Sequence, residues 1–398
     1  MTMMFADALE DGWRRVYLAG ILLAIAAVRA GAQDVSGKNS AWARAVDAYL
    51  AGAEDSVPSV LRLSTEEVTI QSREALDAWM ASARAAEVGV NAHDERRLAI
   101  RRVQAAALLP LEILSLLSTR MRLLPPMKAY ETAAMEAWKQ LGDDDLTDPL
   151  RSGAEERARQ RRFRTWWQIA YLQFLMNNAR YGDFKAHAQQ VRLAEGDVAP
   201  RVEVFLLRGM VEESIARLPA AEAVRRDNEE IEPESRLRRM TRTLEDAAGW
   251  YRRVLANAPA HLEATLHLGR VLVDLKQPQE ALRTLQPLLT SPYGTTHCAL
   301  ASLFAGEAHE MLRANDDAAM AYAHAASLSD VRQSALVALM QLAVRAGDVA
   351  TGARLIGHFA ERTPLAALDG PDAWSVYLRG RRQNVNAVLR PLREAMVP

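Results

Sequence analysis

From Leu262 onward the apolar positions recur with the period of a helix. In the stretch LEATLHLGRVLVDLKQ they fall at Leu262, Leu266, Leu268, Val271, Leu272 and Leu275, which predicts one amphipathic helix. Pro278 opens a second helix, at a position where its missing N–H costs nothing, and Ala281 and Leu285 lie one turn apart on its inner face. The two-helix pattern then recurs. One unit carries Ala305, Gly306 and His309, a turn at Asn315-Asp316, then Ala318 and Tyr322. The next carries Leu339, Met340 and Ala343, a turn at Gly347-Asp348, then Gly352 and Ile356. An earlier second helix carries Ala247, Tyr251 and Pro259.

The small residues Ala247, Ala281, Ala318 and Gly352 are spaced by 34, 37 and 34 positions, the longer interval coming from the turn SPYGTTH at 291–297. Antiparallel helices approach to about 8–10 Å only where the contact side chains allow it. A recurring Gly or Ala therefore predicts a large neighbour lodged in the pair, here Leu285, Tyr322 or Ile356. Gly347 suits a left-handed helix stop and Asp348 a helix start.

These residues resemble the tetratricopeptide repeat family, with its pattern W-x2-L-G-x2-Y, then A-x3-F, then P, of the kind found in exported bacterial proteins. Leu268-Gly269, Ala281, Ala318-x3-Tyr322 and Pro364 match. No Trp heads a unit, and the Tyr positions hold Leu272, His309 and Ala343. The resemblance covers about 247–366. It implies an all-α, helix-pair solenoid of right-handed superhelical form, whose concave wall is lined by the first helix of each pair. Carried over to this chain, that candidate partner-binding groove comprises Glu263, Leu266, Arg270, Asp274, Leu303, Glu307, Glu310, Met311, Val337, Gln341 and Arg345. The set mixes charges with apolar residues and lacks the Lys/Asn-rich wall of carboxylate clamps. It therefore implies a protein or peptide partner, held as a segment or helix by mixed contacts.

The rest of the chain also reads as helical. Helices are expected at 40–52 around Trp42 and Tyr49, at 73–86, at 96–117 with an interruption or kink at Pro110, and from Pro125 to near Leu141. A long helix follows at 153–181, charged in its first half and apolar in its second, where Trp166 and Trp167 lead into a core. This N-terminal region, 33–200, is expected to hold degenerate repeats. The repeats proper span 201–366, with a charged insertion at 219–240. The last segment, 367–398, is expected to form capping helices, WSVYLRG at 374–380 pairing with 384–396.

Residues 1–32 have the layout of a signal peptide: Arg14-Arg15, an apolar run, and Ala30-Gly31-Ala32 at a small-x-small cleavage point. The expected location is exported, periplasmic or secreted. Asp7, Glu10 and Asp11 are unusual in a signal and leave an uncleaved membrane anchor as the alternative, the one route to membrane contact. A formal net charge of -1 argues against a general nucleic-acid binder. Cys298 is the single cysteine, so no internal disulfide can form, and it reads as a small apolar contact residue.

Catalytic chemistry is not apparent. His261 and His267 do not share a helical face. After His309-Glu310, Arg313 occupies the place of a second zinc-binding His. Glu212-Glu213 and Glu229-Glu230 are adjacent pairs that diverge on a helix. No catalytic, cofactor or metal site is expected. The reading is a non-catalytic protein–protein interaction scaffold. The alternatives are a hydrolase-like helical enzyme with a site between the two halves, and a membrane-anchored envelope assembly factor.

Overall fold

The structure, a computed structural model, describes residues 40–52, 63–85, 92–117, 125–142, 153–191, 193, 196–218, 233–290, 295–328, 331–348, 350–354, 373–378 and 386–396. Among them there is no strand, and fifteen helices follow one another along the chain. The proposed signal segment and residues 219–232 of the charged insertion lie outside the described residues. No described helix is long and apolar enough to cross a membrane. The chain divides into two compact units, Met1–Phe174 with Ala387–Pro398, and Leu175–Asn386.

The first unit contains α1 (Ala41–Leu50), α2 (Thr65–Ala85), α3 (Ala92–Leu117), α4 (Pro125–Gln140), most of α5 (Ala154–Asn177) and the C-terminal α15 (Asn386–Met396). Ser40 caps α1 by accepting from the Ala43 N–H at 3.1 Å. A capping box starts α2: Ser64 N donates to Glu67 Oε2 at 2.8 Å and Glu67 N to Ser64 Oγ at 3.2 Å. This start lies upstream of the expected one, because the box sits in a polar stretch that apolar periodicity does not register.

Helix α3 runs through Pro110, with Leu108, Leu109 and Leu111 fully buried around it. Proline has no N–H to offer the preceding turn. Trp167 Nε1 donates to the Ala107 carbonyl there at 2.9 Å. Trp138, Trp167, Tyr171 and Phe174 then stack in series, with centroids 5.1, 5.4 and 5.9 Å apart. The apolar half of α5 is thus core.

The second unit contains α6 (Tyr181–Ala188), α7 (Val198–Ala216), α8 (Pro233–Asn257), α9 (Leu262–Asp274), α10 (Pro278–Leu289), α11 (Thr295–Met311), α12 (Asn315–Ser327), α13 (Arg332–Arg345) and the short α14 (Ala373–Leu378). Helices pack as neighbouring pairs, α7 on α8, α9 on α10 and α11 on α12, and α13 follows on α12. Each pair interlocks through a glycine on its first helix. A Cβ on Gly209 would stand 2.5 Å from Tyr251 Cε1; Gly269 faces Leu285 and Gly306 faces Tyr322 with as little room. The charged insertion ends as an exposed extension of α8, where Leu237 and Met240 face solvent.

The turns repeat as well. Lys276, Arg313 and Gly347 all have positive φ (62°, 60° and 82°), as does Ala179 (55°). At each, the next residue's N–H returns to a carbonyl five positions earlier: Arg180 to Leu175, Gln277 to Leu272, Ala314 to His309 and Asp348 to Ala343. These are one helix-stop motif used four times.

Candidate functional site

The first helices α7, α9 and α11 lie side by side, and α14 rests against α11. Their shared face is built around one carboxylate. Glu213, on α7, is 3 % exposed, and both its oxygens are engaged. Oε2 accepts from the Tyr251 hydroxyl of α8 at 2.6 Å and contacts His267 Nδ1 of α9 at 2.7 Å. Oε1 accepts from the Tyr377 hydroxyl of α14 at 2.5 Å and pairs with Arg217 Nη1 at 2.6 Å. His267 is stacked between the two tyrosine rings, with centroids at 5.3 Å from Tyr251 and 4.7 Å from Tyr377.

Charge spreads from this point along the face. Arg217 Nη2 reaches Asp274 Oδ2 at 2.7 Å, Asp274 Oδ1 takes Arg270 Nη2 at 3.0 Å, and Arg270 Nη1 takes Glu307 Oε2 at 2.6 Å. On the same α11, Glu310 accepts from the Tyr322 hydroxyl at 2.5 Å and pairs with Arg345 of α13. Arg217 also lies over the Tyr377 ring, and Arg270 over both Phe304 and Trp374, at 5.0–5.3 Å from the centroids.

Burial by itself pushes the Glu213 carboxyl up. The Arg217 guanidinium, with hydrogen bonds from His267 and Tyr251, overrides this and holds it far below the ordinary carboxylate range. Burial and the same carboxylate push both Tyr251 and Tyr377 well above the usual phenol value. The network therefore holds an ionised acceptor and two neutral donors. A gap of about 10 Å³ remains beside Met210, Ser214 and Leu378, room for about one water. Such a site ties four helices together and accepts hydrogen bonds.

The structure separates the predicted groove residues into three groups. Leu266, Leu303 and Glu263 are buried inside the stack. Arg270, Asp274, Glu307, Glu310 and Arg345 form the ion-pair ladder on the first-helix face. Met311, Val337 and Gln341 are exposed. The two C-terminal helices expected as caps belong to different units. Tyr377 of α14 is anchored in the second unit, whereas Leu392 and Arg393 of α15 are built into the first, where Arg393 grips Glu112.

Reasoning from sequence missed Glu213, Arg217, Tyr251, His267, Phe304, Trp374 and Tyr377 as a group. A signal existed for Glu213: it continues the buried stripe Leu206, Met210 on α7, so an acid occupies a core position. Among the described residues no group of His, Cys, Asp and Glu is arranged to hold a metal ion. No protein-family model matches the chain, and no curated protein matches it.

Proposed function

We infer that this chain is a non-catalytic scaffold of tetratricopeptide type, exported from the cell, which binds a peptide segment or helix of a partner protein on the face formed by its first helices. One observation carries the reading: that face already holds a helix. Trp374 and Tyr377 of α14 lodge among side chains from α7, α9 and α11. The mixed chemistry of the face, a charge ladder interleaved with aromatic rings, suits helix-in-groove recognition. The interlocks at Gly269 and Gly306 and the helix-stop turns at Lys276, Arg313 and Gly347 support the repeat assignment, because they recur in phase with the 37- and 34-residue spacing of the small residues.

Site-directed photo-crosslinking in the native cell tests the reading. A crosslinking residue at Gln341 or Arg345, exposed on α13, is expected to capture a discrete protein. The same residue at Met320, 65 % exposed on the second helix α12, is expected to capture none. Capture only from Met320 would move the site to the opposite helix layer and defeat the reading.

A further inference from the structure

Helix α14 presents two aromatic side chains to the face, and each meets a prepared receptor. The Tyr377 ring lies on His267 at 4.7 Å and under Arg217 at 5.3 Å, with its hydroxyl on Glu213. The Trp374 ring meets Phe304 edge-on at 5.5 Å, with Arg270 over it at 5.0 Å. The five receptor residues come from α7, α9 and α11, Arg217 being the C-cap residue of α7. Each retains partners without α14: Glu213 keeps Arg217, Tyr251 and His267, Arg217 keeps Asp274, and Arg270 keeps Asp274, Glu307 and Phe304. The receptor is thus held by contacts within the stack as well as by its occupant. The occupant is different. Six residues are too few to sustain a helix alone, so its conformation depends on the face.

We propose that this face reads helical segments of the form aromatic-x-x-tyrosine, that α14 is its resident occupant, and that the partner protein presents the same pair and displaces it. The proposal rests on the scaffold reading and specifies its partner. Glu213 is held as a pure acceptor, so the second aromatic must bring a donor: tyrosine fits, phenylalanine leaves an acceptor oxygen short of a bond, and a phosphorylated tyrosine is repelled. The two guanidiniums select flat π-faces over aliphatic side chains. An occupant tethered in the same chain competes at an effective concentration of about a millimolar, so an outside segment binds weakly until α14 leaves.

The test is a titration of a fluorescent peptide with the sequence PDAWSVYLRG, residues 371–380, into the full chain and into its Trp374→Ala/Tyr377→Ala variant. The variant is expected to bind at least about tenfold more tightly than the wild type, because the tethered competitor is gone. A peptide carrying Tyr377→Phe is expected to lose about tenfold in affinity for that variant, consistent with one hydrogen bond to a charged acceptor. A variant of unchanged helicity that binds no peptide, or binds the Tyr377→Phe peptide equally well, overturns the proposal.

Should the double variant fail to fold, the single Tyr377→Phe chain serves in its place. Its α14 amides are expected to exchange hydrogen faster than in the wild type while α9 stays protected; equal protection of α14 in both overturns the proposal. A wild-type dimer abolished by the double variant would assign the face to a second copy and also overturn it. Peptide failure with crosslinking from Gln341 retained removes this inference alone, whereas loss of that crosslink removes the scaffold reading.

Discussion

The hydroxyl of Tyr377 donates to Glu213 Oε1 at 2.5 Å, joining residues 164 positions apart in the chain. Three other groups converge on that carboxylate from α7, α8 and α9. Its directional bonds therefore fix the placement of α7 relative to α9 in addition to the apolar packing between them.

Replacing Glu213 by alanine leaves two buried phenols and an imidazole short of an acceptor and removes one of the two salt-bridge partners of Arg217. Deleting one partner of a buried ion pair costs about 3–5 kcal/mol. Glu213→Gln keeps an acceptor oxygen and is expected to cost less than Glu213→Ala. Chemical denaturation of the full chain measures both. A loss below about 1 kcal/mol for the alanine variant would show that the network adds little to stability.

Acid should reveal the same group. The groups facing Glu213 are Arg217, Tyr251, His267 and Tyr377, with Asp274 behind Arg217. Folding holds the Glu213 carboxyl below its ordinary value of 4.5, so the ionised form is favoured in the native state. Its contribution is present in full above that ordinary value and is lost as pH falls from there through the depressed native value. The urea midpoint of the wild type is expected to fall on acidification below about pH 4.5, and the Glu213→Gln slope to be shallower in that window. Parallel slopes would assign the acid sensitivity to other carboxylates.

Gly209 and Gly249 offer an opposed pair of substitutions to alanine. At Gly209 the new Cβ meets Tyr251, whose ring cannot swing aside because its hydroxyl is held at 2.6 Å by Glu213. Overpacking of this kind costs about 1–3 kcal/mol. At Gly249, inside α8, nothing lies within 4 Å of an added Cβ. There alanine is expected to stabilise by about 0.5–1 kcal/mol through helix propensity. Melting temperatures compare the two directly, and a stabilising Gly209→Ala would refute the interlock.

What the sequence exposed and what it concealed follow from the range of each interaction. Helix pairing was legible because Ala281, Leu285, Ala318 and Tyr322 repeat at helical spacing and all are buried. Gly347 announced its turn, but Lys276 and Arg313 adopt the same left-handed conformation without glycine's permissive backbone. There the turn is closed by the same returning backbone hydrogen bond without a glycine to mark it. The groove positions were carried over from a family pattern, which set Leu266 and Leu303 on a surface, whereas both are buried in a core shared with Leu285 and Tyr322 of the second helices. The Glu213 cluster was invisible because its members come from residues 213, 217, 251, 267 and 377, and only the fold brings them together.

The C-terminal α15 tests which kind of contact seats a helix in the first unit. Arg393 forms a two-pronged bond to Glu112 at 3.0 and 3.1 Å, beside the Tyr49 hydroxyl at 2.7 Å. Its side chain is 51 % exposed while that of Glu112 is 8 % exposed, so solvent screens the pair from one side and its worth is about 1 kcal/mol. Leu392, one residue earlier, is completely buried. Truncating such a leucine to alanine costs about 2–5 kcal/mol, the lost transfer energy plus the cavity left behind. Leu392→Ala is therefore expected to destabilise the chain more than Arg393→Ala, as read from denaturation midpoints and from amide exchange in α3 and α15. The reverse order would mean that the ion pair, and not the apolar seat, holds this helix in place.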